Sequence, residues 1–227
     1  MHYVTLTPPK PPTSHSRQRS EVMKPPVLIV LHGYGADECD LLSIAEAIAP
    51  NYLTISLRAP IALSQGGYAW YHLTQTESGL HPDDLSRHES EDAVARNLGP
   101  IIEREGGDTE NVVFMGFSQG AAICYSLLAT YQLENYGITP RASINMSGYL
   151  PRDILAAIEQ KRWNGFPFFI SHGEFDDLIP PMAMNEAEDL LSIRGAKVTT
   201  QLYGAGHGVL AETIEDIATW MKGINKN

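Results

Sequence analysis

The stretch Asn111-Val-Val-Phe-Met-Gly-Phe-Ser118-Gln-Gly-Ala-Ala-Ile-Cys-Tyr-Ser-Leu-Leu-Ala129 leaves this chain few folds to choose from. An apolar run ends at Gly116-Phe-Ser118-Gln-Gly120, and a run of good helix formers follows without a gap. The stretch reads as a strand, one very tight turn and a helix. The pattern G-x-S-x-G in that setting is a nucleophile elbow. Such a turn forces Ser118 into a strained backbone conformation, and side chains two before and two after it would collide. Hydrogen in place of Cβ at Gly116 and Gly120 removes the collision. The Ser118 hydroxyl is left at the apex, beside the positive end of a helix starting near Gln119. The motif also arises by chance, so its flanks carry the reading.

Those flanks fit a longer rhythm. Val27–His32, Tyr52–Leu57 and residues 111–117, 142–147, 166–171 and 197–203 read as strands. Most are continuous apolar runs, as expected of strands covered on both faces. Helical patterns fill the intervals at about 39–49, 89–104 (with a bend at Gly99-Pro100), 119–131, 153–162, 182–194 and 209–222. Strand and helix alternating in this way predict an α/β fold, a mostly parallel central sheet flanked by helices on both faces. Ligands in such sheets sit at the carboxyl ends of the strands, where His32, Ser118, Ser147, His172 and the loop after Tyr203 fall.

Residues 3–7 alternate like a short edge strand. Pro8-Pro-Lys-Pro-Pro12 and the polar run to Ser20 then make a solvated, dispensable arm, so residues 1–26 stand apart from one domain over 27–227. Residues 59–88 break the rhythm as a long irregular insertion, the kind of loop that forms a lid or a binding wall. Its Leu63, Trp70, Tyr71 and Leu73 are candidates to line an apolar pocket, and Trp70 and Tyr71 are equally suited to anchoring the loop to the core. Tyr149 and Leu178, in turns after later strands, complete the candidate substrate-binding set.

The 227 residues are 43% hydrophobic, enough for a sizeable core, and carry a formal net charge of -11. Phosphate backbones and anionic lipid surfaces repel such a chain, which argues against nucleic acid as a partner. No apolar segment approaches the length of a membrane span, so stable membrane insertion is not expected. Residues 1–9 lack the features of a secretory signal, and the two cysteines, Cys39 and Cys124, suit free thiols; both point to the cytoplasm.

A serine nucleophile needs a base, an orienting carboxylate and donors for a developing oxyanion. Gly204-Ala-Gly206-His207-Gly208 follows the last strand, where the base belongs, and its three glycines suit a bend that presents the imidazole. The carboxylate should follow the preceding strand, where Glu174, Asp176 and Asp177 all stand; spacing does not choose among them. The backbone amides of Gln119, next to the nucleophile, and Tyr34, in His32-Gly33-Tyr34-Gly35, fit the two oxyanion donors. Glu38 stands where a dinucleotide loop needs its third glycine, which removes that reading of the same loop. The histidines and cysteines show no metal-ligand spacing, and neither a metal nor an organic cofactor is expected.

Six blocks in order, Leu-His-Gly-x-Gly at 31–35, Arg-Ala-Pro at 58–60, Trp70-Tyr71, Gly-Phe-Ser-Gln-Gly at 116–120, His-Gly-x-x-Asp-x-x-Ile-Pro at 172–180 and Gly-x-Gly-His at 204–207, resemble the phospholipase/carboxylesterase family of α/β-hydrolases, known for its acyl-protein thioesterases. The resemblance spans roughly residues 27–221 and implies the α/β-hydrolase fold. It also puts the orienting carboxylate on Asp176, with Glu174 in the place of the family's first acid. The chain departs from the family pattern at Ala121, where a further glycine is usual, and at Asp177, where proline is common. The expectation is a Ser118–His207–Asp176 serine hydrolase acting through an acyl-enzyme on small-molecule carboxylic esters of short to medium acyl chains. Thioester cleavage from acylated proteins or lysophospholipid hydrolysis is the alternative within the class. A hydrolase fold without activity, serving as a receptor or scaffold, is the alternative outside it.

Overall fold

A computed structural model describes residues 1–9, 23–76 and 79–224. From Lys10 to Glu21 and Val22 the expected arm lies outside the described residues. The strands are β1 (Tyr3–Leu6), β2 (Val27–Leu31), β3 (Leu53–Leu57), β4 (Ile61–Ala62), β5 (Tyr68–Ala69), β6 (Leu73–Thr76), β7 (Gly79–Pro82), β8 (Val112–Phe117), β9 (Pro140–Met146), β10 (Pro167–Gly173) and β11 (Lys197–Tyr203). The helices are α1 (Leu42–Ile48), α2 (Asp84–Arg104), α3 (Gln119–Thr130), α4 (Leu155–Gln160), α5 (Met182–Ile193) and α6 (Ala211–Ile224).

Seven strands form one sheet in the order β1-β3-β2-β8-β9-β10-β11. Only the β1–β3 pair is antiparallel within it, with Tyr3 opposite Leu57 and Leu6 opposite Thr54. The expected edge strand is therefore part of the sheet. Alternation along β2 shows how both faces are covered: Val27, Ile29 and Leu31 point into a core completed by α2, α3, α4 and α5. Leu28 and Val30 point into a second core with Ala45 and Ile48 of α1 and Ile217 and Met221 of α6. All five β2 residues are fully buried, which is why the run reads as continuously apolar.

Three expectations about elements change. The 59–88 segment is not irregular throughout; it folds into two short antiparallel hairpins, β4–β5 and β6–β7. Helix α2 begins at Asp84, not near 89, because the Asp83 carboxylate accepts the Ser86 backbone N–H at 2.8 Å and caps it. It then runs through Gly99-Pro100 unbroken. Gly99 serves a close approach, since a Cβ there would lie 2.5 Å from the Tyr136 carbonyl oxygen.

Register brings the strand ends together. Leu31 pairs with Gly116, Phe117 with Met146, Met146 with Ser171, and Gly173 with Tyr203. The turns that follow these residues thus emerge along one edge of the sheet.

Candidate active site

The Ser118 turn has the geometry that its neighbours demand. Ser118 sits at φ 53 and ψ -116, in the left-handed half of conformational space that non-glycine residues seldom adopt. Its N–H donates to the Met146 carbonyl at 2.9 Å, tying the turn to β9. A Cβ on Gly116 would lie 2.4 Å from the Gly120 oxygen, the collision expected inside the motif. A Cβ on Gly120 would lie 2.0 Å from the Leu31 oxygen, so the second glycine lets α3 settle onto the neighbouring strand β2. Helix α3 starts directly at Gln119, and the Ala121 and Ala122 amides donate to the Ser118 carbonyl at 3.0 and 3.2 Å, so the positive end of the helix lies beside Ser118.

His207 and Asp176 converge on this turn. His207 Nε2 lies 2.9 Å from Ser118 Oγ, and His207 Nδ1 lies 2.7 Å from Asp176 Oδ2. With Asp176 as acceptor, Nδ1 carries the proton and the Nε2 lone pair faces the serine hydroxyl. The imidazole also packs against the Phe117 ring, centroids 5.0 Å apart. Asp176 Oδ1 accepts the backbone N–H groups of Leu178 and Ile179 at 3.0 and 2.9 Å, which fixes the carboxylate. Of the three acids the spacing left open, Asp176 is buried, whereas Glu174 and Asp177 are exposed.

The loops carrying the acid and the base are zipped together. Glu174 N–H donates to the Tyr203 oxygen at 2.7 Å, and Phe175 N–H to the Ala205 oxygen at 2.8 Å. The glycine this approach requires is Gly173, whose Cβ would meet the Gly206 oxygen at 2.1 Å. Gly204, Gly206 and Gly208 do not enter the left-handed region, so the bend at His207 does not need them for that purpose.

The His32–Gly35 loop lies against the elbow: a Cβ on Gly33 would sit 3.6 Å from Ser118 Cβ. Among the described residues no hydrogen bond engages the backbone N–H of Tyr34 or of Gln119. The loop is held from behind by the side chains of His32, Gln119 and Trp70. His32 Nδ1–H donates to the Gly33 carbonyl at 2.7 Å, and Nε2 accepts the Ala59 N–H at 3.1 Å, so both ring nitrogens are used by a neutral imidazole. Burial holds the His32 pKa below its ordinary value. The Gln119 side chain accepts the Trp70 N–H and donates to the Tyr71 carbonyl, both at 3.0 Å, while Trp70 Nε1–H donates to the His32 carbonyl at 2.9 Å.

This network defines what Trp70 and Tyr71 do in the structure: both are fully buried and anchor their segment. The Tyr71 and Tyr149 hydroxyls lie 2.7 Å apart, and burial pushes both phenols above their usual range. Leu73 is partly buried against the core, and Leu178 is 67% exposed on the Asp176 turn beside the equally exposed Phe175. Glu38 is also buried, where Arg58 donates to it through two nitrogens and holds its carboxyl at about 2. Arg87 is buried at the start of α2 against Glu91, Ser126 and Asp153. The one sequence signal for this cluster was the four-residue spacing of Arg87 and Glu91.

Cys39 is exposed and Cys124 buried, and both are free. Among the described residues no helix is long and apolar enough to cross a membrane, and no group of three or more His, Cys, Asp or Glu side chains is arranged to hold a metal ion.

A parallel sheet wrapped on both faces, with a strained serine turn at its carboxyl edge, makes this an α/β-hydrolase fold. The model of the phospholipase/carboxylesterase family matches residues 17–225, and the chain belongs to that family. Its esterase-type hydrolase function is that of the family. MhqD of Bacillus subtilis (strain 168) is 26% identical over 201 residues, covering 86% of this chain and 92% of that protein. The fold is shared with a Bacillus cereus carboxylesterase at TM-score 0.76 and 22% identity, covering 98% of this chain and 93% of that one. A Mesorhizobium loti carboxylesterase matches at TM-score 0.74 and 24% identity, covering 87% and 88% of the two chains.

Proposed function

We propose that this chain is a serine hydrolase that cleaves small-molecule carboxylic esters of short to medium acyl chains through an acyl-enzyme. Ser118 Oγ attacks the ester carbonyl while His207 Nε2 takes its proton, and Asp176 holds the imidazole and favours its charged form. The Tyr34 and Gln119 amides receive the oxyanion, each donor contributing about 3–4 kcal/mol to the transition state. The alcohol leaves with the proton from His207. Water then attacks the acyl carbon with His207 again as base, releasing the carboxylic acid and restoring Ser118. The route needs no metal or organic cofactor. In this reading residues 27–227 form one catalytic domain and 59–88 its binding wall.

The observation that carries the reading is the hydrogen-bonded line from Ser118 through His207 to Asp176, at 2.9 and 2.7 Å. Trp70, held by Gln119 and the His32 carbonyl and with no exposed surface, braces the segment that would form the binding wall. The test has two stages. A fluorophosphonate probe should label the protein and should not label Ser118→Ala; an unlabelled parent protein would point to a receptor or scaffold. Then kcat/KM on matched oxo- and thioesters of increasing acyl length should peak at oxoesters of short to medium chains. A preference for long-chain thioesters on peptides would overturn the substrate assignment.

A further inference from the structure

The Asp176 carboxylate has a partner beyond His207 and its own turn. His172, at the end of β10, has a side chain with no exposed surface. Its Nε2 lies 2.8 Å from the Ile179 carbonyl oxygen and 3.3 Å from Asp176 Oδ2, the oxygen that also receives His207 Nδ1. A carbonyl only accepts, so His172 Nε2 carries a hydrogen and donates it to the Ile179 oxygen, while the same N–H approaches the carboxylate oxygen that faces His207. The other nitrogen, Nδ1, is buried with no hydrogen-bond partner among the described residues.

An unsatisfied buried nitrogen is costly, and a phenylalanine or leucine would fill the same space without that cost. The ring is thus used for one atom. From that asymmetry we infer that His172 is a positioning residue: its Nε2–H clamps the 176–179 turn and aims Asp176 Oδ2 at His207. The clamp works from both ends. Oδ1 is held by the Leu178 and Ile179 amides, and the Ile179 carbonyl is held by His172, so the turn cannot rotate the carboxylate without breaking the histidine contact. Loss of the clamp leaves substrate contacts intact and loosens the group that orients the base. This inference rests on the proposed role of Asp176.

The single-atom assignment makes an isosteric test available. Glutamine places its amide nitrogen near the position of imidazole Nε2, and asparagine places its own near Nδ1. His172→Asn should lower kcat about 10- to 100-fold, the range for a misaimed supporting group, with KM little changed. His172→Gln should recover most of that loss. In an Asp176→Asn background, His172→Asn should cost almost nothing further, because its effect passes through the carboxylate. Thermal unfolding of each variant separates lost folding from lost aim. Equal losses in the Gln and Asn variants, a change confined to KM, or a full additional loss in the Asp176→Asn background would each overturn the positioning role. Unimpaired kcat in Asp176→Asn alone would instead overturn the proposed role of Asp176.

Discussion

Ala121 and Gly148 divide a single space between them: a Cβ on Gly148 would lie 2.5 Å from the Ala121 Cβ. Ala121 is fully buried in the first turn of α3, directly behind the elbow, and Gly148 follows β9. The alanine that departs from the family's usual glycine is thus accommodated by the absence of a side chain across the sheet edge. Gly148 is not in the left-handed region, so space alone restricts it.

Gly148→Ala should therefore destabilise the protein by about 1–3 kcal/mol through overpacking. Ala121→Gly alone should cost about 1 kcal/mol through the poorer helix former. The double variant should cost less than the sum, because emptying one position makes room for the other. Urea unfolding of the four proteins measures the coupling, and strict additivity would show that the two residues do not share the space.

Gln119 is expected to matter through its side chain as well as its amide. Its amide group closes two hydrogen bonds that would otherwise leave the buried Trp70 N–H and Tyr71 carbonyl unpaired. Gln119→Ala should lose about 1–3 kcal/mol of stability for that reason. Gln119→Glu keeps the acceptor for Trp70 but turns an oxygen toward the Tyr71 carbonyl, in a site only 4% exposed. It should be the less stable of the two. Thermal unfolding ranks them, and an equal or more stable Glu variant would refute the network.

Much of this arrangement was legible because it follows from local requirements. Gly116 and Gly120 flank a serine that must adopt positive φ, and continuous apolar runs such as Val27–Leu31 belong to strands covered on both faces. What stayed hidden depends on contacts between distant segments. Spacing could not separate Asp176 from Glu174 and Asp177, since the distinction is which acid turns inward to its own loop's amides; the family resemblance was needed there. The start of α2 was missed because Asp83 and Ser86 cap it inside a stretch without periodicity. Glu38 was read only as a missing glycine, though 20 residues on Arg58 supplies the partner that lets a carboxylate be buried.

That pair gives a pH prediction. Hydrogen bonds from Arg58 lower the Glu38 pKa from 4.5 to about 2 in the folded protein. A group bound more tightly in its charged form stabilises the fold fully above its unfolded value and loses that contribution as pH falls toward the folded one. Stability should thus fall between pH 4.5 and 2 in part because Glu38 takes up a proton. Glu38→Gln should be less stable at neutral pH and should show a shallower decline across that window. Glu38 lies on the same loop as Tyr34, so kcat/KM should fall with it. Urea midpoints against pH for both proteins test the first claim, and parallel curves would contradict it.

The same tether reaches the N-terminus, where the sequence suggested an arm that could be removed. The Arg58 N–H donates to the His2 carbonyl at 2.9 Å, and His2 Nε2 lies 3.2 Å from Glu38. Tyr3 to Leu6 pair along β3, and the Tyr3 hydroxyl donates to Glu105 at 2.6 Å. A variant lacking residues 2–6 would expose the backbone edge of β3, a template for pairing with other chains, and would free one side of the Arg58–Glu38 pair. It should melt lower, by about 2–4 °C for each kcal/mol lost in a chain of this size, and should aggregate more readily. Esterase turnover should fall as the 33–38 loop loosens, while the rate of labelling at Ser118 falls in parallel. Unchanged melting and turnover would show that β1 is an ornament on a sheet complete without it.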